Sequence, residues 1–308
     1  MDKNTIRIGT RGSQLALYQA ERTKKELSEK FSNLSVEIEI IKTRGDKILD
    51  VALSKIGDKG LFTKEIENAL LDETVDIAVH SLKDLPTVLP EGLKLGAVLE
   101  RGEYRDALVS KDGRKLSELT PGDTIATSSL RRKAALLKIN KNFNIVDIRG
   151  NVNTRLRKME EGHCDAMIMA AAGLQRLELD NYITEILDPD VLIPATSQGV
   201  IAIESRENDT RIDEILKKIN HNKTWNAIEA ERAFLHTIEG GCQVPVGCFT
   251  RFEKEKFTIT GFVASVDGTQ FLIDEEIGTV ENAHETGKRL AQKLRKKGAA
   301  EILANIRK

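Results

Sequence analysis

The chain is poor in cysteine, in aromatic rings, in unbalanced charge and in long apolar runs, and each shortage removes a class of protein. Its three cysteines, Cys164, Cys242 and Cys248, are an odd and sparse set that suits a reducing cytoplasm rather than a disulfide framework. Cys242 and Cys248 lack the close paired spacing of a zinc knuckle and no histidine follows nearby, so no metal site is expected. Aromatic residues make up 4% of the chain, and 47 basic residues stand against 48 acidic ones. A nucleic-acid binder calls for a basic surface interleaved with stacking rings, and balanced charge with few aromatics speaks against one. No apolar stretch approaches the roughly 20 residues that span a bilayer. Met1 to Ile8 runs straight into a strand pattern without the apolar core of a signal peptide. The expectation is a cytoplasmic protein with no membrane or nucleic-acid partner and no surface that demands an oligomer.

What is there alternates between strand and helix signals. Ile6-Arg7-Ile8, Val36 to Ile41 and the apolar run Val75 to Val79 read as strands. Between them lie helices, one capped by Ser13 with Leu15, Leu17, Tyr18 and Leu27 as apolar positions, another from Phe62 to Leu71. A second unit repeats the rhythm after Arg101, with strands at 105–110, 124–127, 144–148 and 166–170. Ser128 or Ser129 caps one of its helices, and another runs from about Val152 to Glu161. From about Asn220 the texture changes to a helix at 225–238, two strands about an Asp267-Gly268 turn, and a basic amphipathic helix from about Ala283 to Ile306. The fold class expected is α/β, with two α/β domains around a cleft and a small α+β C-terminal domain. The expected boundaries are 1–100 plus about 200–218, then 101–199, then 219–308.

The chemistry gathers at strand ends. Arg11, Arg131, Arg132, Arg149, Arg155 and Arg176 recur at loop-to-helix junctions, where free N–H groups and the positive end of the helix dipole already favour anions. Guanidinium forks added there make a site for several carboxylates. No P-loop or Gly-x-Gly-x-x-Gly follows a strand. Asp84, in His80-Ser81-Leu82-Lys83-Asp84-Leu85-Pro86, can stabilise a developing cation, move protons, or simply close a turn. The glycine-punctuated stretch from Thr43 to Phe62 suits a lid and equally a plain surface loop. Cys242, preceded by Gly240-Gly241 and followed by Pro245, reads either as a thiol on a tight loop, a candidate covalent attachment point, or as the small buried hydrophobe that most free cysteines are.

Several motifs in one order resemble the porphobilinogen deaminase family along nearly the whole chain. They are Ile8 to Leu17, Lys42-Thr43-Arg44-Gly45-Asp46, Gly57 to Glu65, Asp76 to Pro86, Thr127 to Arg132, Arg149 to Arg155 and Glu239 to Pro245. The resemblance implies a cytoplasmic, monomeric transferase of porphyrin and heme biosynthesis. Such an enzyme condenses four porphobilinogens head to tail with loss of ammonia, and water then frees hydroxymethylbilane. It implies two domains like periplasmic binding proteins and a third that carries a dipyrromethane cofactor, joined through a thioether to Cys242. Asp84 matches the family's catalytic aspartate, which stabilises an azafulvene-type cation. The six arginines match groups that hold acetate and propionate arms, and Ser13, Lys83, Thr127, Ser129 and Gln198 join them in binding. Asp46, Lys55, Lys59 and Phe62 fall in the lid and its hinge. Three positions depart from the family's habit: Ser197 stands at a usual glycine, Leu82 at a common methionine, and Cys248 is an extra thiol near the anchor. The rival readings are a binder of anionic small molecules, which leaves Cys242 and Asp84 without purpose, and a nucleic-acid binder.

Overall fold

The computed structural model describes residues 4–47, 62–239 and 244–306. They divide into two compact units. The first comprises 4–47, 62–102 and 199–225; the second comprises 103–198, 226–239 and 244–306. Calls on Lys55, Lys59 and Cys242 lie outside the described residues, as does the side chain of Asp46.

Unit 1 is built on a five-stranded sheet of β1 (Thr5–Thr10), β2 (Ser35–Ile40), β3 (Ile77–Ser81), β4 (Leu93–Val98) and β10 (Ile201–Arg206), in the order β2-β1-β3-β10-β4. β1, β2 and β3 are parallel, while β10 runs antiparallel to both of its neighbours. The apolar run of β3 serves both faces of the sheet. Ile77 and Val79 join Ile6, Ile8, Leu27, Ile203 and Leu216 in one core, and Ala78 packs with Ile66 and Leu70 in another. This is why the strand reads as continuously apolar rather than alternating. The first helix, Gln14–Lys30, buries Ala16, Gln19, Ala20, Thr23 and Leu27. The expected stripe is corrected here: Leu15 and Leu17 are half-buried and Tyr18 is exposed, because small residues allow the close approach of helix to sheet.

Unit 2 carries β5 (Asp106–Ser110), β6 (Thr124–Ala126), β7 (Asn144–Val146), β8 (Ala166–Ala170) and β9 (Glu185–Ile186), in the order β7-β6-β8-β5-β9. β6 pairs in parallel with both β7 and β8, and β5 is antiparallel to β8 and β9. Spatial order and strand direction match those of unit 1, but the counterpart of β10 is β5, which comes first in its unit rather than last. The rest of unit 2 is an antiparallel sheet of β11 (Val246–Glu253), β12 (Lys256–Ala264) and β13 (Phe271–Thr279). Phe234, Ile259, Val263, Leu290, Leu294, Ile302 and Leu303 share its core.

The class is therefore mixed α/β with a small additional sheet at the C-terminal end. The single helix expected over about 283–306 is interrupted. It runs as Ala283–Leu294, a π turn Arg295–Ala299 and Ala300–Ile306, with Gly298 at φ 106°. That backbone is left-handed and open to glycine without strain. No helix among the described residues is long and apolar enough to cross a membrane.

Candidate active site

In unit 1 the candidate residues stand where parallel strands end. β1 leads into Arg11 and then Ser13, which caps the first helix by accepting from the Ala16 N–H at 3.3 Å. The Arg11 guanidinium lies 4.2 Å from the centre of the Phe62 ring, a cation–π distance. β3 passes directly into the 3-10 turn Leu82–Asp84. Leu82 and Leu85 are buried, and the Leu82 N–H donates to the Val200 carbonyl at 3.0 Å. The two leucines pin the turn, Lys83 is half-buried, and Asp84 stays exposed at the strand's carboxyl end. Pro86, which cannot donate, follows closely. Gln19 Nε2 donates to Ser81 Oγ at 2.7 Å and ties the first helix to the same strand end. His80 is buried, its Nε2 3.2 Å from Glu204 Oε2 across the β3–β10 pairing.

In unit 2 Ser129, not Ser128, caps the helix Leu130–Ile139, accepting from the Arg132 N–H at 3.4 Å. The Ser128 hydroxyl donates instead to the Ile148 carbonyl at 2.8 Å. Thr127 is buried and its Oγ1 accepts from the Ser129 N–H at 3.3 Å. Arg149 and Gly150 precede Asn151, which caps the helix Val152–Glu160 by accepting from the Thr154 N–H at 2.9 Å. Gly150 has φ 118°, and a Cβ there would lie 2.5 Å from Thr154 Cγ2, so this turn requires glycine. Arg155 Nε donates to the Gly150 carbonyl at 2.8 Å. Arg176 follows the helix Ala171–Gln175 and is half-buried.

Arg131 and Arg132 depart from the others in being buried, and both meet Asp106, a fully buried carboxylate at the start of β5. Burial alone would push the Asp106 carboxyl up. The Arg131 and Arg132 guanidiniums and the Gln198 amide outweigh that effect and hold it well below the usual carboxylate range. Burial pulls the Arg131 guanidinium below its usual value, with Asp106 opposing and Arg132 adding to the fall.

Sequence reasoning missed Asp106, which reads as an ordinary strand-start residue. It also missed Glu231, buried on the helix Asn222–Thr237, whose Oε2 accepts from the Ser197 N–H at 2.7 Å and whose Oε1 accepts from the Thr250 N–H at 3.0 Å. Ser197, at the position where the family favours glycine, has φ 61° and a buried hydroxyl with no partner among the described residues. Left-handed backbone costs an L-residue roughly 1–2 kcal/mol, against about 0.5–1 kcal/mol of extra chain entropy lost by glycine. Ser197→Gly is therefore expected to raise the calorimetric midpoint by up to about 2 °C. A lowered midpoint would mean that the serine is not strained.

A unit that sets guanidiniums and helix N-termini at the carboxyl ends of strands is built to take anionic ligands. Residues 6–214 match the family described as porphobilinogen deaminase, dipyromethane cofactor binding domain, and residues 225–296 match porphobilinogen deaminase, C-terminal domain. Porphobilinogen deaminase from Carboxydothermus hydrogenoformans is 48% identical over 306 residues, covering 99% of this chain and 98% of its own length. The protein of the same name from Synechococcus sp. is 50% identical over 309 residues, with the same coverage of 99% and 98%. Among solved structures, a TRAP periplasmic solute binding protein from Desulfovibrio salexigens matches at 13% identity with a TM-score of 0.43, over 72% of this chain and 74% of its own. The chain belongs to the porphobilinogen deaminase family. It is a transferase that assembles a tetrapyrrole from porphobilinogen, and residues 6–214 form its dipyrromethane cofactor binding domain.

Proposed function

We propose that this chain joins four porphobilinogens head to tail with Asp84 as the catalytic carboxylate and Cys242 as the thioether anchor, and releases hydroxymethylbilane by hydrolysis. Support comes above all from unit 2, where two buried guanidiniums stand against the single carboxylate of Asp106. That donor set fits a group carrying acetate and propionate arms. When bound, the dipyrromethane supplies a primer whose free end receives the first porphobilinogen. Arg131, Arg132, Arg149, Arg155 and Arg176 would hold carboxylates in unit 2, with Thr127, Ser129 and Gln198 adding or orienting hydrogen bonds. Arg11, Ser13 and Lys83 would do the same in unit 1.

The step asked of Asp84 follows from charge. As the aminomethyl C–N bond of an incoming porphobilinogen breaks and ammonia leaves, positive charge spreads to the pyrrole nitrogen. The Asp84 carboxylate accepts a hydrogen bond from that N–H and lowers the energy of the cation. It then takes up the proton released when the new C–C bond forms. Asp46, Lys55, Lys59 and Phe62 serve a lid over this chemistry. The domain scheme of 1–100 with about 200–218, 101–199 and 219–308 goes with this reading, as do a cytoplasmic location, a monomer and the absence of a nucleic-acid partner.

Native mass spectrometry with Ehrlich's reagent tests the whole. The expected result is one chain per particle, heavier than its sequence by a dipyrromethane and coloured by the reagent. A chain at its sequence mass that binds porphobilinogen without releasing ammonia would be a binder instead.

A further inference from the structure

One carboxylate governs two guanidiniums inside unit 2. Asp106 Oδ1 accepts from Arg132 Nε at 3.1 Å, from Arg132 Nη2 at 2.6 Å and from Gln198 Nε2 at 3.1 Å. Its Oδ2 lies 2.8 Å from Arg131 Nη1. The same three side chains are held from outside by main-chain carbonyls: Arg131 Nη1 donates to Ile193 at 2.6 Å, Arg132 Nη1 to Ile168 at 2.8 Å and Gln198 Nε2 to Tyr104 at 2.9 Å. No other carboxylate among the described residues pairs with either guanidinium. Two positive charges against one negative leave one positive charge uncompensated in a buried place, which is costly unless an anion arrives to share it.

The division of labour between the arginines is unequal. Arg132 commits all three of its nitrogens to the protein. Arg131 commits only Nη1, and its Nε and Nη2 have no partner among the described residues. A long side chain with free rotamers presents a fork to a ligand only if something fixes its inner edge. Asp106 can do this because it sits on β5, hydrogen-bonded between β8 and β9, whereas the arginines it holds start a helix on another segment.

We propose that Asp106 is the positioning residue that orients the Arg131 and Arg132 guanidiniums toward the carboxylates of the pyrrole ligand, without touching that ligand itself. The proposal rests on the reading that these arginines contact ligand carboxylates, and the test separates the two. Asp106→Ala opens a hole lined by two guanidiniums, the size of a small carboxylate. The variant is expected to carry dipyrromethane on fewer than about half of its chains, by intact mass, or to show a KM for porphobilinogen raised at least about tenfold. Sodium formate, by filling the hole, restores the affected quantity, and sodium chloride at equal ionic strength does not. A merely structural role predicts loss that tracks the thermal midpoint and is not restored by formate. That result would overturn the proposal, as would loading and KM equal to wild type. If Asp106→Ala does not fold, Asp106→Asn keeps the volume and is read for the same loading and KM, and unchanged values overturn the proposal there too. Arg131→Gln is the control for the underlying reading. If it alone weakens loading or KM, only the positioning role of Asp106 falls; if it changes neither, the arginine contact itself is wrong.

Discussion

Asp84→Asn is expected to keep its fold and its covalent dipyrromethane while kcat falls by about 10²–10³-fold, the loss typical when one preorganised group is removed from a developing charge. Asp84 is exposed at the end of the turn Leu82–Asp84, and the apolar anchors of that turn are its neighbours Leu82 and Leu85. Replacing its carboxylate by an amide therefore removes charge and leaves packing alone, so stability should move by no more than about 0.5 kcal/mol. A group that acts on the cation rather than on the ground state leaves KM nearly constant. Steady-state kinetics on protein of verified holo mass checks both parameters. A kcat within about threefold of wild type would take Asp84 out of the chemistry.

Cys242→Ser is expected to yield protein at its sequence mass, silent to Ehrlich's reagent and without turnover. A serine hydroxyl is a far weaker nucleophile than a thiol. The other two thiols offer no substitute. Burial pushes the Cys164 thiol up to about 11, so it is scarcely ionised at neutral pH. Cys248 is fully buried, with its Sγ 3.3 Å from Thr196 Oγ1 and 3.7 Å from the Glu231 carbonyl. Intact mass decides the matter: a dipyrromethane adduct on Cys242→Ser would move the anchor elsewhere, and a normal adduct on Cys248→Ala would confirm that the extra thiol is a core residue.

The parts legible in the sequence were those written in local pattern. Alternating strand and helix signals announced three strands of the first sheet and four of the second, Ser13 announced the cap of its helix, and Ser128 and Ser129 shared the claim to a cap that Ser129 holds. The strand-end positions of Arg11, Asp84 and Arg149 followed from the same reading. What stayed hidden depends on residues far apart in the chain. Asp106 meets Arg131, Arg132 and Gln198 across separations of up to 92 positions, and nothing near Asp106 in sequence marks it as their counterion. Arg131 and Arg132, which read as groups at a helix start, are buried for that reason. The break at Gly298 was missed because the apolar residues on either side of it still reach one core, so the period looks unbroken. The stripe of the first helix was misjudged in its first half because Ala16, Ala20 and Thr23, rather than Leu15 and Leu17, are buried along with the expected Leu27.

The place of β10 in unit 1 bears on how the chain is made. β4 forms its ladder with β10, and β3 meets β10 on its other edge, yet β10 begins at Ile201. A ribosome that has released residues 1–100 has delivered four strands of that sheet without the one that joins β3 to β4. Until another hundred residues emerge, two strand edges stand open to any passing chain. Residues 103–198 meanwhile supply all five strands of their own sheet. Vectorial synthesis therefore favours closing the second sheet before the first, and makes the nascent N-terminal portion the part most in need of a chaperone.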